Sequence, residues 1–151
     1  MRVGIISDTH GLLRHQAIIA LRGSDHILHA GDVGDVAILR QLRNLAPLSA
    51  IRGNVDSHGS CAKLPATKCI ELAGQRLYMI HNLHDLDLNP AHAGIAAVIS
   101  GHSHKAKCEW REGVLYFNPG SAGPRRFSLP VTLGFLTLDC RAIKATIVNI
   151  A

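Results

Sequence analysis

A chain of 151 residues with 47% apolar and 18% charged side chains suits one folded domain and is too apolar to remain disordered. Cys61, Cys69, Cys108 and Cys140 are scattered without a Cys-x-x-Cys pair, which argues against a disulfide-stapled scaffold; four free thiols are expected, most of them acting as small apolar residues. The formal charge of +5 favours anionic partners, but no run of five or six Lys or Arg exists and aromatics are only 4%, so a nucleic-acid groove is disfavoured.

No segment approaches 18 uninterrupted apolar residues, and the apolar run after Met1 is short and meets Asp8 and His10 at once. The expectation is a soluble, cytoplasmic protein with no membrane partner, residues 1–151 forming a single domain.

Val3 to Ser7 is a short apolar run with β-branched residues that ends at Ser-Asp-Thr-His-Gly; it reads as a buried strand delivering polar residues at its carboxyl end. Leu12 to Leu21 carries apolar residues at helical spacing, with Gly23 as a C-cap. His26 to Ala30 is a second strand, again followed by Gly-Asp. Val36 to Leu45 is a second helix, with Val36, Ile38, Leu39, Leu42 and Leu45 as its inner stripe. Leu48 to Ile51 is a third strand, ending at Arg52-Gly53-Asn54. This alternation implies right-handed crossovers and a parallel sheet.

The second half changes character. Lys68–Leu72, Arg76–Ile80, Ala96–Ser100, Ala106–Trp110, Val114–Phe117, Leu133–Leu138 and Lys144–Ile150 read as strands, with Gly74-Gln75, Glu112-Gly113 and Cys140-Arg141 as turns. So many strands predict two packed sheets, with the early helices on an outer face.

Five of these strands end in metal-capable side chains: Asp8-x-His10, Asp32, Asn54, His81, and His102-x-His104. Ligands of open α/β sheets gather at the carboxyl ends of strands. Neutral imidazole and carboxylate oxygen suit borderline divalent transition ions, and the absence of thiolates disfavours a sulfur-dominated site. A carboxylate can bridge two metals roughly 3.5–4 Å apart. Glycine before Asp32, Asn54 and His102 permits sharp turns and close backbone approach. Two divalent ions against two carboxylates would leave the site positive, even with a bridging hydroxide, and so suited to phosphate or another oxyanion.

In chain order, Asp8-Thr9-His10, Gly31-Asp32, Gly53-Asn54, His81 and Gly101-His102-Ser103-His104 resemble the motifs of the calcineurin-like metallophosphoesterase superfamily. The likeness covers nearly the whole chain. The short length and Asn118-Pro119-Gly120-Ser121 resemble its small prokaryotic phosphodiesterase branch, which shares its fold with a eukaryotic retromer subunit. The resemblance implies an α/β protein, a two-sheet β-sandwich flanked by helices. It also implies two divalent ions, Mn²⁺ first, with Zn²⁺, Fe²⁺ or Ni²⁺ as alternatives. One ion would take Asp8, His10, Asp32 and His104; the other would take Asp32, Asn54, His81 and His102. Asp32, Asn54 and His81 would then be catalytic residues, and a metal-bound hydroxide would attack phosphorus opposite the departing oxygen.

Two departures bear on substrate. Val55-Asp56 stands where the superfamily's protein phosphatases have His-Glu, which points to phosphodiesters and small esters instead. His81 is followed by Asn82-Leu83-His84 rather than Gly, and Asn82 tolerates the left-handed turn expected there. Asn89-Pro90 shortens the helix expected between Asp85 and Gly94 to one or two turns. His84 and Asp56 are candidate substrate contacts; Asp56 and His58 are also candidates to hold ligands from behind. His29 packs beneath the site, and Arg125-Arg126 belongs to a solvated loop. The leading function is a phosphodiesterase acting on small phosphate esters. A non-catalytic interaction scaffold and a nuclease are the alternatives, with the oligomeric state left open.

Overall fold

The computed structural model describes residues 1–151. Along the chain run β1 (Arg2–Ile6), α1 (His15–Leu21), β2 (His26–His29), α2 (Val36–Arg43), β3 (Leu48–Ala50), β4 (Thr67–Leu72) and β5 (Gln75–Ile80). They are followed by β6 (Ala97–Ile99), β7 (Lys107–Arg111), β8 (Val114–Asn118), β9 (Thr132–Leu138) and β10 (Ile143–Asn149). The strands make two five-stranded sheets, in the orders β10-β9-β1-β2-β3 and β4-β5-β6-β8-β7. In the first, β1, β2 and β3 are parallel, with Ile6 opposite His29 and His29 opposite Ala50. In the second, β5, β6 and β8 are parallel. Each sheet therefore gathers the carboxyl ends of three strands along one edge, and those ends carry the polar residues. This is the α/β sandwich with flanking helices that the sequence predicts.

Alternation along the strands sorts side chains into layers. Val3, Ile5, Leu28, Leu77, Met79, Ile99, Leu115, Phe117 and Leu136 form the buried layer between the sheets. Ile6, Ile27, Leu133 and Phe135 face the opposite way and meet Ala17 and Leu21 of α1 and Ile38, Leu39 and Leu42 of α2. The outer face of the second sheet has no α-helix; Tyr78, Ile80, Val98 and Val114 are covered instead by Leu83, Leu86, Leu88 and Ile95. Burying a Leu or Ile side chain contributes roughly 1.5–3 kcal/mol, so the inter-sheet layer is the rigid floor beneath the polar edge.

Several expectations shift locally. The first helix begins at His15 rather than Leu12, because His10 (φ 46°) and Gly11 (φ 83°) take left-handed angles and Gly11 N–H donates to the Val33 carbonyl. That commits residues 10–14 to a loop. The second helix ends at Arg43, with Ile38, Leu39 and Leu42 buried and Val36 and Leu45 only packed against its edge. The turn expected at Gly74-Gln75 lies one residue earlier, at Ala73 (φ 51°) and Gly74 (φ 78°), an angle pair that matches strand twist in a two-residue hairpin. Between His81 and Gly94 there is one 3-10 turn, Leu83–Asp85, and no α-helix. Asn82 does not use left-handed angles; at φ −106° its side chain accepts from His84 N–H and caps that turn. All four cysteines are free thiols, but only Cys61 is buried; Cys69, Cys108 and Cys140 are exposed, so most are not core residues. No helix is long and apolar enough to cross a membrane.

Candidate metal centre

The loops after the parallel strands are tied together by backbone bonds that continue beyond the sheets. Asp8 N–H donates to the Gly31 carbonyl, His10 N–H to Asp32, and Gly101 N–H to His81. Asp8, His10, Asp32, His102 and His104 all lie at positive φ, between 46° and 71°. Left-handed angles are uncommon for any residue with a Cβ and cost of order 1–3 kcal/mol when the surroundings impose them. Five such residues at one edge indicate strain held for what their side chains do.

Two triads result: Asp8, His10 and His104, and Asp32, His81 and His102. The carboxylate of Asp32 links them, since its Oδ2 lies 3.4 Å from Nε2 of His10 and 3.2 Å from Nε2 of His81. Nε2 of His104 is 3.3 Å from Asp8 Oδ1 and 3.3 Å from Nε2 of His10. Asn54 Oδ1 is 3.2 Å from Nδ1 of His102. The structure thus brings all seven strand-end residues together. Two of the three preceding glycines act by close approach rather than by turning. A Cβ on Gly53 would collide with the Asp32 carboxylate, and one on Gly101 with Ser7 and Asp8; Gly31, at φ 102°, also makes a left-handed turn.

The carboxylate and imidazole donors suit divalent cations, and two unpaired buried atoms agree with that fit. Asp8 Oδ1 and His81 Nε2 are buried without a hydrogen-bond partner; leaving such a group unpaired costs about 1–3 kcal/mol. His81 Nδ1 donates to the Ala30 carbonyl at 2.7 Å, so in the neutral ring Nε2 carries the lone pair, 3.2 Å from Asp32 Oδ2 and 3.9 Å from Asp8 Oδ1. A lone pair and a carboxylate facing each other call for a cation between them.

The charges agree. Burial works to raise the Asp8 pKa, but His10, His104 and Ser7 outweigh it and hold the carboxyl well below its ordinary range. Burial opposes ionisation of Asp32 too, and His81 and the Val55 N–H overcome it. Burial would lower the His81 pKa, yet Asp32, the Ala30 carbonyl and Asp8 raise it. Two ionised carboxylates are therefore present at neutral pH.

A further ring of residues fixes these ligands, and most of it escaped the sequence reading. Asp8 Oδ2 accepts from Ser7 Oγ at 2.7 Å and from His102 N–H at 3.1 Å. Asn118 Nδ2 donates to the Gly101 carbonyl at 2.9 Å, and Ser121 Oγ to the Asp8 carbonyl at 3.0 Å. The Asn-Pro-Gly-Ser motif is thus a buckle between the last histidine loop and the first aspartate loop. His29, fully buried, accepts from Gly31 N–H at Nδ1, and its Nε2 lies 3.0 Å from Thr9 Oγ1, which itself donates to the Val33 carbonyl. The ring is thus neutral with the proton on Nε2, and burial pushes its pKa down to about 4.

Asp56 requires correction as a substrate contact. It is 3% exposed, and its carboxylate accepts from Val33, Gly34 and Gly53 N–H at 2.9–3.0 Å. All three donors belong to the Asp32 and Asn54 loops, so Asp56 is a positioning residue. His58 is exposed and caps a 3-10 turn without a side-chain bond. His84 is exposed beside the centre, in a cleft that also includes His102. Arg125 lies in a surface loop and donates to the Leu129 and Ala151 carbonyls.

Strand-end carboxylates and imidazoles on a two-sheet α/β sandwich define a metallophosphoesterase type of protein. The family model of the calcineurin-like phosphoesterase superfamily domain matches residues 1–141, and the chain belongs to that superfamily. A probable metallophosphoesterase of Methanothermobacter thermautotrophicus is 30% identical, over 99% of this chain and 92% of its own length. The solved structure of an archaeal phosphodiesterase superposes with a TM-score of 0.80 at 23% identity, covering 98% of this chain and 100% of that one. Vps29 of Entamoeba histolytica, solved with zinc, superposes with a TM-score of 0.76 at 19% identity over the full length of both chains.

Proposed function

We propose that the protein is a binuclear-metal phosphodiesterase that hydrolyses small phosphate esters. The observation that carries this reading is the pair of triads joined through Asp32. Asp8, His10, Asp32 and His104 would hold one divalent ion and Asp32, Asn54, His81 and His102 the other, with Mn²⁺ the favoured metal. When bound, such a pair supplies Lewis acidity, lowers the pKa of water and clamps the oxygens of an in-line displacement. The chain's own part is positional. Asp8 and Asp32 cancel part of the cation charge and leave the site positive toward phosphate. His81 keeps its Nε2 lone pair inward because Ala30 holds its other nitrogen. Asn54 and His102, both exposed, would border the opening where substrate enters, and His84, which lines the same cleft as His102, is assigned as a contact for an ester arm. No His follows Asn54; Val55 stands there, which favours substrates whose leaving group departs without a proton from that position. A cytoplasmic location accords with this reading.

The overlap with Vps29 favours a second reading, an interaction scaffold of the same fold. Metal binding alone does not separate the two, because the Entamoeba protein was solved with zinc; turnover does. The purified protein is expected to hydrolyse bis-p-nitrophenyl phosphate with Mn²⁺, to lose that turnover with a chelator, and to prefer the diester to p-nitrophenyl phosphate. Metal-loaded protein without turnover of any ester in a broad panel would leave the scaffold.

A further inference from the structure

Two clefts flank the candidate centre, and both include Asn82 and His102 in their walls. Their charges differ. The first, of about 440 Å³, has Asp85 and Asp87 beside Arg52, with Tyr78 and Ile80 as its apolar wall. The second, of about 770 Å³, is lined by Lys105, Lys107 and Arg111, with His84 and Tyr116, and no carboxylate lines it. Glu109 lies just outside, 3.0 Å from the Lys107 ammonium and 2.9 Å from the Arg111 guanidinium. It neutralises one of the three cations, leaving a net charge of about +2. Arg111 also stacks over the Tyr116 ring at 4.7 Å, a flat cationic surface that suits both an aromatic ring and a phosphate.

We infer that the second cleft is a subsite for an ester arm that carries its own phosphate, so that the substrate is a small phosphate ester with a second anionic group. The inference rests on the hydrolase reading and adds polarity to it. The phosphorylated arm lies along Lys105, Lys107 and Arg111, and the uncharged arm lies against Tyr78 and Ile80. A second cleft of this volume is within the range of small-molecule sites. A long nucleic-acid strand is disfavoured, since crossing the centre would place phosphates on both sides, and the first cleft presents Asp85 and Asp87 to one of them. The cations are surface groups, so their attraction is screened by salt.

The test compares thymidine 3′,5′-bisphosphate, thymidine 5′-monophosphate and an oligothymidylate as ligands of Mn²⁺-loaded protein, by calorimetry at low and high salt. Turnover of bis-p-nitrophenyl phosphate is followed separately. The bisphosphate is expected to bind at least tenfold more tightly than the monophosphate, with the ratio falling at high salt. In the Lys105→Ala/Lys107→Ala variant the ratio is expected to fall to within twofold of one. Arg111→Ala, tested singly, keeps the result readable if the double variant folds poorly. Equal affinities in the unaltered protein, or a ratio that survives in these variants, overturn the subsite; so does an oligothymidylate that outcompetes the bisphosphate. If the ratio is present but no ester is turned over, the hydrolase reading fails and the anion site stands.

Discussion

Replacing Asp32 by Asn is expected to reduce Mn²⁺-dependent hydrolysis by more than the roughly 10–100-fold that changes behind a metal ligand produce. Asp32 touches both triads: its Oδ2 lies 3.4 Å from His10 and 3.2 Å from His81, so a neutral amide there would weaken both proposed cation sites at once. Asn is the informative choice, because the backbone at this position has φ 56° and Asn, like Asp, tolerates left-handed angles. The fold is thus retained while the charge is lost. Activity within tenfold of the unaltered protein, with unchanged circular dichroism, would contradict a bridging role for this carboxylate.

The second large effect is expected at Asp56, which touches neither triad. Its carboxylate accepts three backbone N–H bonds from the loops that carry Asp32 and Asn54. Hydrogen bonds to a charged group are worth about 1.5–3 kcal/mol each, and a buried donor left unpaired costs a similar amount. Water can reach part of this cluster, so the three are not additive. Asp56→Ala is expected to destabilise the metal-free protein by about 3 kcal/mol in urea unfolding. Mn²⁺ affinity should fall by roughly 10–100-fold. The Asn variant should recover part of the loss, since its carbonyl can take the place of Oδ2 and accept from Val33 and Gly53, while its NH₂ faces the Gly34 N–H. A stability loss below about 1 kcal/mol would show that the loops hold their shape without this carboxylate.

These two residues also mark how far the sequence can be read. Asp32 was legible because a buried strand followed by Gly-Asp is a local pattern, and parallel strands place such ends on one edge. The same logic located Asn54, His81, His102 and His104, and the structure brings them together. For Asp56 the sequence left two roles open, substrate contact and support behind the ligands; its bonding partners were not legible, because two of the three are more than 20 residues away and nothing in Val55-Asp56-Ser57 announces them. The left-handed backbone at Asp8, His10, Asp32, His102 and His104 was equally hidden. Those angles are imposed by loop-to-loop bonds, and no residue type there requires them. The same competition shortened α1: apolar spacing from Leu12 onward fits a helix, but Gly11 is bonded to Val33 and the chain is still turning. Between His81 and Gly94, Asn82 and Asn89 side chains bond nearby N–H groups, offering turns in place of a helix.

Anomalous scattering from an Mn²⁺-soaked crystal addresses the metal centre most directly. Two peaks are expected, roughly 3.5–4 Å apart, with Asp32 between them, one beside Asp8, His10 and His104 and the other beside Asn54, His81 and His102. A single peak at saturating Mn²⁺, or two peaks not joined through Asp32, would contradict the binuclear centre.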